Sequence, residues 1–300
     1  MLARTLAACL VLCCAHARAG VSDVSVPIAG STEEIPVRVM VPDRAGVFSA
    51  VVVLHDCSGL GPRSSGSPWR WAAELVKRGF VVFLPDSFSS RGHPDGVCTN
   101  ASSSRNEVNA ERRVRDAYAV LAYARTLASV DGRRIGVMGG SHGGTTTLLA
   151  MSAPISDGDV LAQEKGEGFA AGIALYPGCG ARFGGWIGRS GTYKTIAPLM
   201  ILTGEKDDWT PADACVNLVK SAKAAAQPVS IKVYPGAHHS FDSANPVRYN
   251  GLRVNPNAPG GRGATTGGDA GAWADSIQEV GAFFAQHLPV REDTPQRETR

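Results

Sequence analysis

The 300-residue sequence predicts an α/β protein with a mostly parallel central sheet flanked by helices. Two observations predict it. Short, continuous β-branched and apolar runs, at residues 50–54 and 80–84, have the character of strands buried on both faces. Between such runs lie longer segments whose apolar residues recur at helical spacing. With 44% hydrophobic residues the chain can bury a large core.

In chain order, residues 35–41 alternate apolar and polar side chains and predict an early, half-exposed strand. Residues 50–54 (Ala-Val-Val-Val-Leu) predict a central strand. Residues 68–78 place Trp69, Ala72, Ala73 and Val76 at helical spacing, and Gly79 ends the helix. Residues 80–84 form a second buried strand, closed by Pro85-Asp86. The longest helix is expected over 106–130, with Val108, Val114, Ala117, Tyr118, Leu121 and Ala124 on one face and Glu and Arg elsewhere. Asp131-Gly132 makes a turn into a strand at 134–138. Further strands are expected at 171–176, 199–203 and 229–234, and residues 273–287 close the fold as an amphipathic helix. Residues 245–268, rich in Gly, Asn and Pro, read as a long surface loop. No repeat or linker divides the chain, so residues 20–290 are expected to form a single domain, with a disordered charged tail at 291–300.

The formal charge is +3, from 30 basic and 27 acidic residues, with no basic stripe interleaved with aromatics, which argues against nucleic-acid binding. Residues 1–19 read as a signal peptide: a short positive start at Arg4, an apolar run over 6–15, and small residues at Ala17 and Ala19. The run is too short to span a bilayer. Cleavage after Ala19 would export the protein to the periplasm or beyond; the lipobox-like Leu6-Ala7-Ala8-Cys9 falls too early to favour a lipoprotein. Cys9, Cys13 and Cys14 lie in that segment, leaving Cys57, Cys98, Cys179 and Cys215 for an oxidising compartment. No CxxC spacing suggests a metal, and no cofactor motif is present.

Gly139-Gly140-Ser141-His142-Gly143 fits G-x-S-x-G, with a predicted strand before it and a predicted helix at 145–151 after it. A serine on a tight strand-to-helix turn is sterically strained, and glycines two residues to either side relieve the clash. Its hydroxyl needs a base, and the base an orienting acid. The strand at 199–203 runs into a loop carrying Asp207 and Asp208, and the strand at 229–234 runs into His238-His239.

Together, residues 139–143, 204–211 and 234–241 resemble the dienelactone hydrolase family of the α/β-hydrolase fold, over most of the chain. The resemblance implies Ser141 as nucleophile, Asp207 as acid and His239 as base, with Asp208 and His238 as the alternatives. It implies backbone amides of His142 and Cys57 as the oxyanion hole. Asp56 matches an acidic position near the family's nucleophile, or caps its own turn. The family's founding enzymes use cysteine where this chain has Ser141, which favours ester chemistry. Those enzymes also hold a substrate carboxylate with two arginines. Arg91 falls near the first, one residue late, or is a solvated loop charge, and Ser243 occupies the second, so the resemblance argues against an anionic lactone as substrate. Trp209, beside the acid, is the best placed of Trp69, Trp71, Trp186 and Trp209 to touch substrate. On the same map, the loops after the strands imply disulfides Cys57–Cys98 and Cys179–Cys215, with free buried thiols as the alternative.

The expected activity is hydrolysis of a small-molecule carboxylic ester, or a lactone, through an acyl-enzyme. A peptidase or thioesterase with the same triad, or a non-catalytic binding protein on this scaffold, are the competing readings.

Overall fold

The computed structural model describes residues 20–100, 107–153, 167–180 and 192–289. The leader at 1–19, the tail at 291–300 and Trp186 lie outside the described residues. Strand β3 (Phe48–Leu54) is buried at every position and lies inside an eight-stranded sheet of order β1-β2-β4-β3-β5-β6-β7-β8. The other strands are β1 (Gly20–Pro27), β2 (Glu34–Val41), β4 (Val81–Pro85), β5 (Val130–Gly140), β6 (Ala171–Leu175), β7 (Leu199–Gly204) and β8 (Val229–Tyr234). The β1–β2 and β2–β4 pairs are antiparallel, and the pairs from β4 onward are parallel.

The residues of β3 explain the layering. Ala50, Val52 and Leu54 enter one core, and Val51 and Val53 the other, because successive side chains point to opposite faces. The first core is covered by α2 (Ala110–Thr126), α3 (His142–Met151) and α4 (Ala212–Ala224), through Val114, Leu148 and Leu218 among others. The second is covered by α1 (Ser67–Lys77) and α5 (Ala270–His287), through Trp71, Leu75, Val280 and Phe284. Each fully buried Leu, Val or Phe contributes about 1.5–3 kcal/mol of transfer free energy, which is why a strand apolar on both sides is stable only here.

Several elements differ from the sequence expectation. Helix α2 begins at Ala110, where the Asn109 side chain accepts from the Arg112 amide at 2.8 Å, and ends at Thr126, so that β5 already starts at Val130. Strand β1, largely exposed, carries too little hydrophobic period to read from sequence. The expected loop at 245–268 contains an antiparallel hairpin, β9 (Arg248–Val254) with β10 (Arg262–Thr266). The residues of β9 are exposed or half-buried, so no apolar alternation marks them, and tertiary anchors hold the hairpin in place. The Trp209 indole donates to the Val254 carbonyl at 2.8 Å, and Asp208 accepts from the amide and hydroxyl of Thr265 at 2.8 Å each.

The structure joins Cys57 to Cys98 and Cys179 to Cys215, each with Cα atoms 5.0 Å apart. Two disulfides hint at an oxidising, exported environment. Among the described residues, no helix is long and apolar enough to cross a membrane.

Candidate active site

The turn from β5 into α3 places Ser141 in a strained conformation of positive φ, φ 53° and ψ −114°. That turn is possible only with glycine around it. A Cβ at Gly139 would lie 2.6 Å from the Gly143 carbonyl carbon, and a Cβ at Gly143 would lie 2.2 Å from the Leu54 carbonyl oxygen. The strained backbone is fastened on both sides: the Ser141 amide donates to Leu175 O at 2.9 Å, and Ser141 O accepts from the Thr145 amide at 2.8 Å.

The loops after β7 and β8 bring Asp207 and His239 to this serine. His239 Nε2 lies 2.8 Å from Ser141 Oγ, and His239 Nδ1 lies 2.7 Å from Asp207 Oδ2. Asp207 is itself held on both oxygens. Its Oδ1 accepts from the Trp209 and Thr210 amides at 2.9 and 2.8 Å, and its Oδ2 accepts from Thr210 Oγ1 at 2.8 Å. With a carboxylate on Nδ1, that nitrogen carries the proton, and Nε2 is left to accept from the serine hydroxyl. His239 is wholly buried and Ser141 is 8% exposed, so the relay works out of bulk water. The neighbours are employed elsewhere: Asp208 anchors Thr265, and His238 Nδ1 lies 3.1 Å from Lys206 O.

Several residues of the site carry no sequence signal. Tyr176, itself at φ 36°, packs edge-on against the His239 ring at 4.7 Å and donates to Asp242 Oδ1 at 2.8 Å. Asp242 is wholly buried and also accepts from Trp71 Nε1 at 2.7 Å and Ser67 Oγ at 3.1 Å. Burial raises its pKa from the ordinary carboxylate value, although those donors oppose the shift. An acid three residues after a histidine could have been noticed, but nothing local says that it is buried.

Ser141, His239, Trp209, Asp56 and Cys57 line an open cleft of about 620 Å³. Asp56 does not hydrogen-bond Ser141; it accepts from the Ser58 amide at 2.7 Å and from Ser65 Oγ at 2.5 Å, holding its own loop. Arg91, expected near the substrate, is placed elsewhere. Its guanidinium meets Asp116 bidentately at 2.7 and 2.8 Å and Glu33 at 2.9 Å, with 7% side-chain exposure. Burial works against its charge, and the two carboxylates outweigh that, so its pKa is raised. The cleft instead receives Arg253 from the hairpin. Its guanidinium lies 4.7 Å over the Trp209 ring, and its Nε is buried without a hydrogen-bond partner. Burial lowers its pKa, opposed by the Asp56 charge. Among the described residues, the one grouping with metal-ligand proximity is Asp56 with Cys57 and Cys98, whose sulfurs are bonded to each other.

A profile of the dienelactone hydrolase family matches residues 35–288. A Bradyrhizobium protein named "Probable 2-oxo-3-(5-oxofuran-2-ylidene)propanoate lactonase" is 27% identical over 203 residues, covering 67% of this chain and 76% of the relative. Among solved structures, the dienelactone hydrolase-like promiscuous phosphotriesterase P91 from metagenomic libraries superposes with a TM-score of 0.62 at 17% identity, covering 91% of this chain and 100% of that one. Thermogutta terrifontis esterase 2 phosphorylated by paraoxon gives 0.60 at 18% identity, covering 89% and 94%. At these identities the structural likeness speaks for the fold.

Proposed function

The chain belongs to the dienelactone hydrolase family, and on that premise we propose that it hydrolyses carboxylic esters or lactones of small molecules with Ser141 as nucleophile. The observation that carries this is the continuous relay from Ser141 Oγ through His239 to Asp207, at 2.8 and 2.7 Å. The Ser141 oxygen attacks the ester carbonyl carbon while His239 Nε2 takes its proton. The tetrahedral oxyanion is met by the amides of His142 and Cys57. Collapse expels the alcohol, which receives the proton from His239, and leaves an acyl-serine. Water, deprotonated by the same imidazole, then releases the acid and restores the serine. In a lactone both products stay in one molecule.

A negatively charged group on the substrate suits the cleft. Arg253 brings a partly buried guanidinium without an ion pair, and Arg248 and Arg63 stand at the rim. The Bradyrhizobium relative is, by its name, a lactonase of an acidic lactone. Residues 1–19 are read as a leader removed on export, a reading the two disulfides support.

The experiment is hydrolysis of a series of p-nitrophenyl esters and unsaturated lactones by residues 20–300, beside Ser141→Ala. Turnover that disappears in Ser141→Ala supports the reading, and a variant that keeps the rate sinks it.

A further inference from the structure

Against the residue that follows Ser141, and outside the cleft lining, lies Arg113 of α2. It is the largest wholly buried side chain among the described residues, and neither of its hydrogen-bond acceptors is a carboxylate. Its Nη1 donates to His142 Nδ1 and its Nη2 to the His55 carbonyl, both at 2.7 Å, while its Cζ sits 5.0 Å over the Phe88 ring. Burial lowers its pKa to about 10, with the Asp116 and Asp56 charges opposing, so it is cationic at neutral pH. A buried cation without a touching anion is costly, and an apolar side chain of similar volume would serve a core better. Its two partners are therefore informative. His142 follows the nucleophile, and His55 precedes Cys57 by two residues, so one guanidinium ties the two backbone segments on which the oxyanion hole is placed.

The surroundings fit that task. The two segments touch without room for a side chain, since a Cβ at Gly143 would lie 2.6 Å from His55 O. The His55 ring fixes the outer side of its turn: Nδ1 donates to the Asp56 carbonyl at 2.7 Å, and Nε2 accepts from the Ser87 amide at 3.2 Å. Phe88 closes the cluster edge-on, 4.4 Å from the His55 ring and 5.8 Å from that of His142.

We propose that Arg113 is a positioning residue for the reaction: through its forked contact to His55 O and His142 Nδ1 it sets the spacing of the two oxyanion-binding segments. Only a planar fork can hold both acceptors at once, which lysine cannot do. The proposal rests on the serine mechanism above.

The test uses Arg113→Lys, which keeps charge but loses the fork, and His142→Leu, which leaves Arg113 and the backbone amide in place and removes one acceptor. For each, kcat and KM on a p-nitrophenyl ester are measured well below Tm, with the Ki of a trifluoromethyl ketone that forms a tetrahedral adduct on serine. The expected result is a loss of about ten- to a hundredfold in kcat, KM changed by less than about threefold, and Ki rising in proportion to the loss in kcat/KM. Wild-type kcat and Ki in either folded variant, whatever its Tm, overturn the proposal, as does a rise in KM alone. His142 is half-exposed, so His142→Leu decides the matter if Arg113→Lys does not fold. Failure of the underlying mechanism shows separately: Ser141→Ala would then retain turnover, and both would fall.

Discussion

Replacing Asp207 by Asn reverses the proton order of the relay at almost no steric cost. The Asn oxygen can still accept from the Trp209 and Thr210 amides at 2.9 and 2.8 Å, which pins it on that side. The amide NH₂ must then face His239 Nδ1, where Asp207 Oδ2 now lies at 2.7 Å. Two donors cannot share that contact, so the imidazole takes the tautomer with hydrogen on Nε2. That hydrogen points at Ser141 Oγ, and the base cannot accept the serine proton. The loss expected for a wrong tautomer in a buried triad is about ten-thousand-fold in kcat, or about 5.5 kcal/mol of transition-state stabilisation. The assay is steady-state hydrolysis of a p-nitrophenyl ester from about pH 6 to 9, with Tm measured beside it. Asp208→Asn is the paired control: it anchors Thr265 and should change kcat by less than about threefold. Asp207→Asn with more than about a tenth of the wild-type kcat, or an equal loss in Asp208→Asn, would refute the assignment.

Three further outcomes are expected. His55 is wholly buried, and burial together with the Arg113 charge holds its pKa well below the ordinary 6.5, so the folded state binds fewer protons than the unfolded state below that pH. Stability should therefore fall by about 1.4 kcal/mol per pH unit as pH drops below about 6.5, and urea melts of His55→Gln should show a flatter acid limb. Removing the Cys179–Cys215 bridge with Cys179→Ser/Cys215→Ser opens a loop of 36-residue separation and should cost about 3–4 kcal/mol in urea denaturation; an unchanged midpoint would show that the bridge is not formed. Arg253→Met should lower kcat/KM by about tenfold or more for esters carrying a carboxylate while leaving neutral esters within about twofold, and equal losses on both would remove Arg253 from substrate recognition.

The contrast between Arg91 and Arg253 shows where sequence reading stops. Arg91 lies shortly after β4, close to an arginine position of the family, yet the turn at Ser89–Arg91 carries its side chain to Asp116 and Glu33. Arg253 belongs to a segment without apolar alternation, and it reaches the cleft because β9 pairs with β10 and is anchored to the acid loop. Arg113 is instructive in the same way. The helical pattern of 106–130 put arginines on the outer face, but α2 turns this one inward to His142 and His55.

What the sequence determined by itself was what short-range sterics and periodicity determine. Runs such as 50–54 are apolar on both faces and can exist only inside a sheet, and Gly139 and Gly143 mark a turn that tolerates no Cβ. The order of serine, acid and histidine, each after a strand, followed from the same local punctuation. The tertiary structure alone set Asp207 against His239 and Asp208 against Thr265, buried Asp242 behind Tyr176, and chose which arginines face the cleft. Those outcomes depend on partners far away in the chain, as in the 98-residue separation between Ser141 and His239, and a polar side chain carries no local mark of the partner that will make its burial affordable.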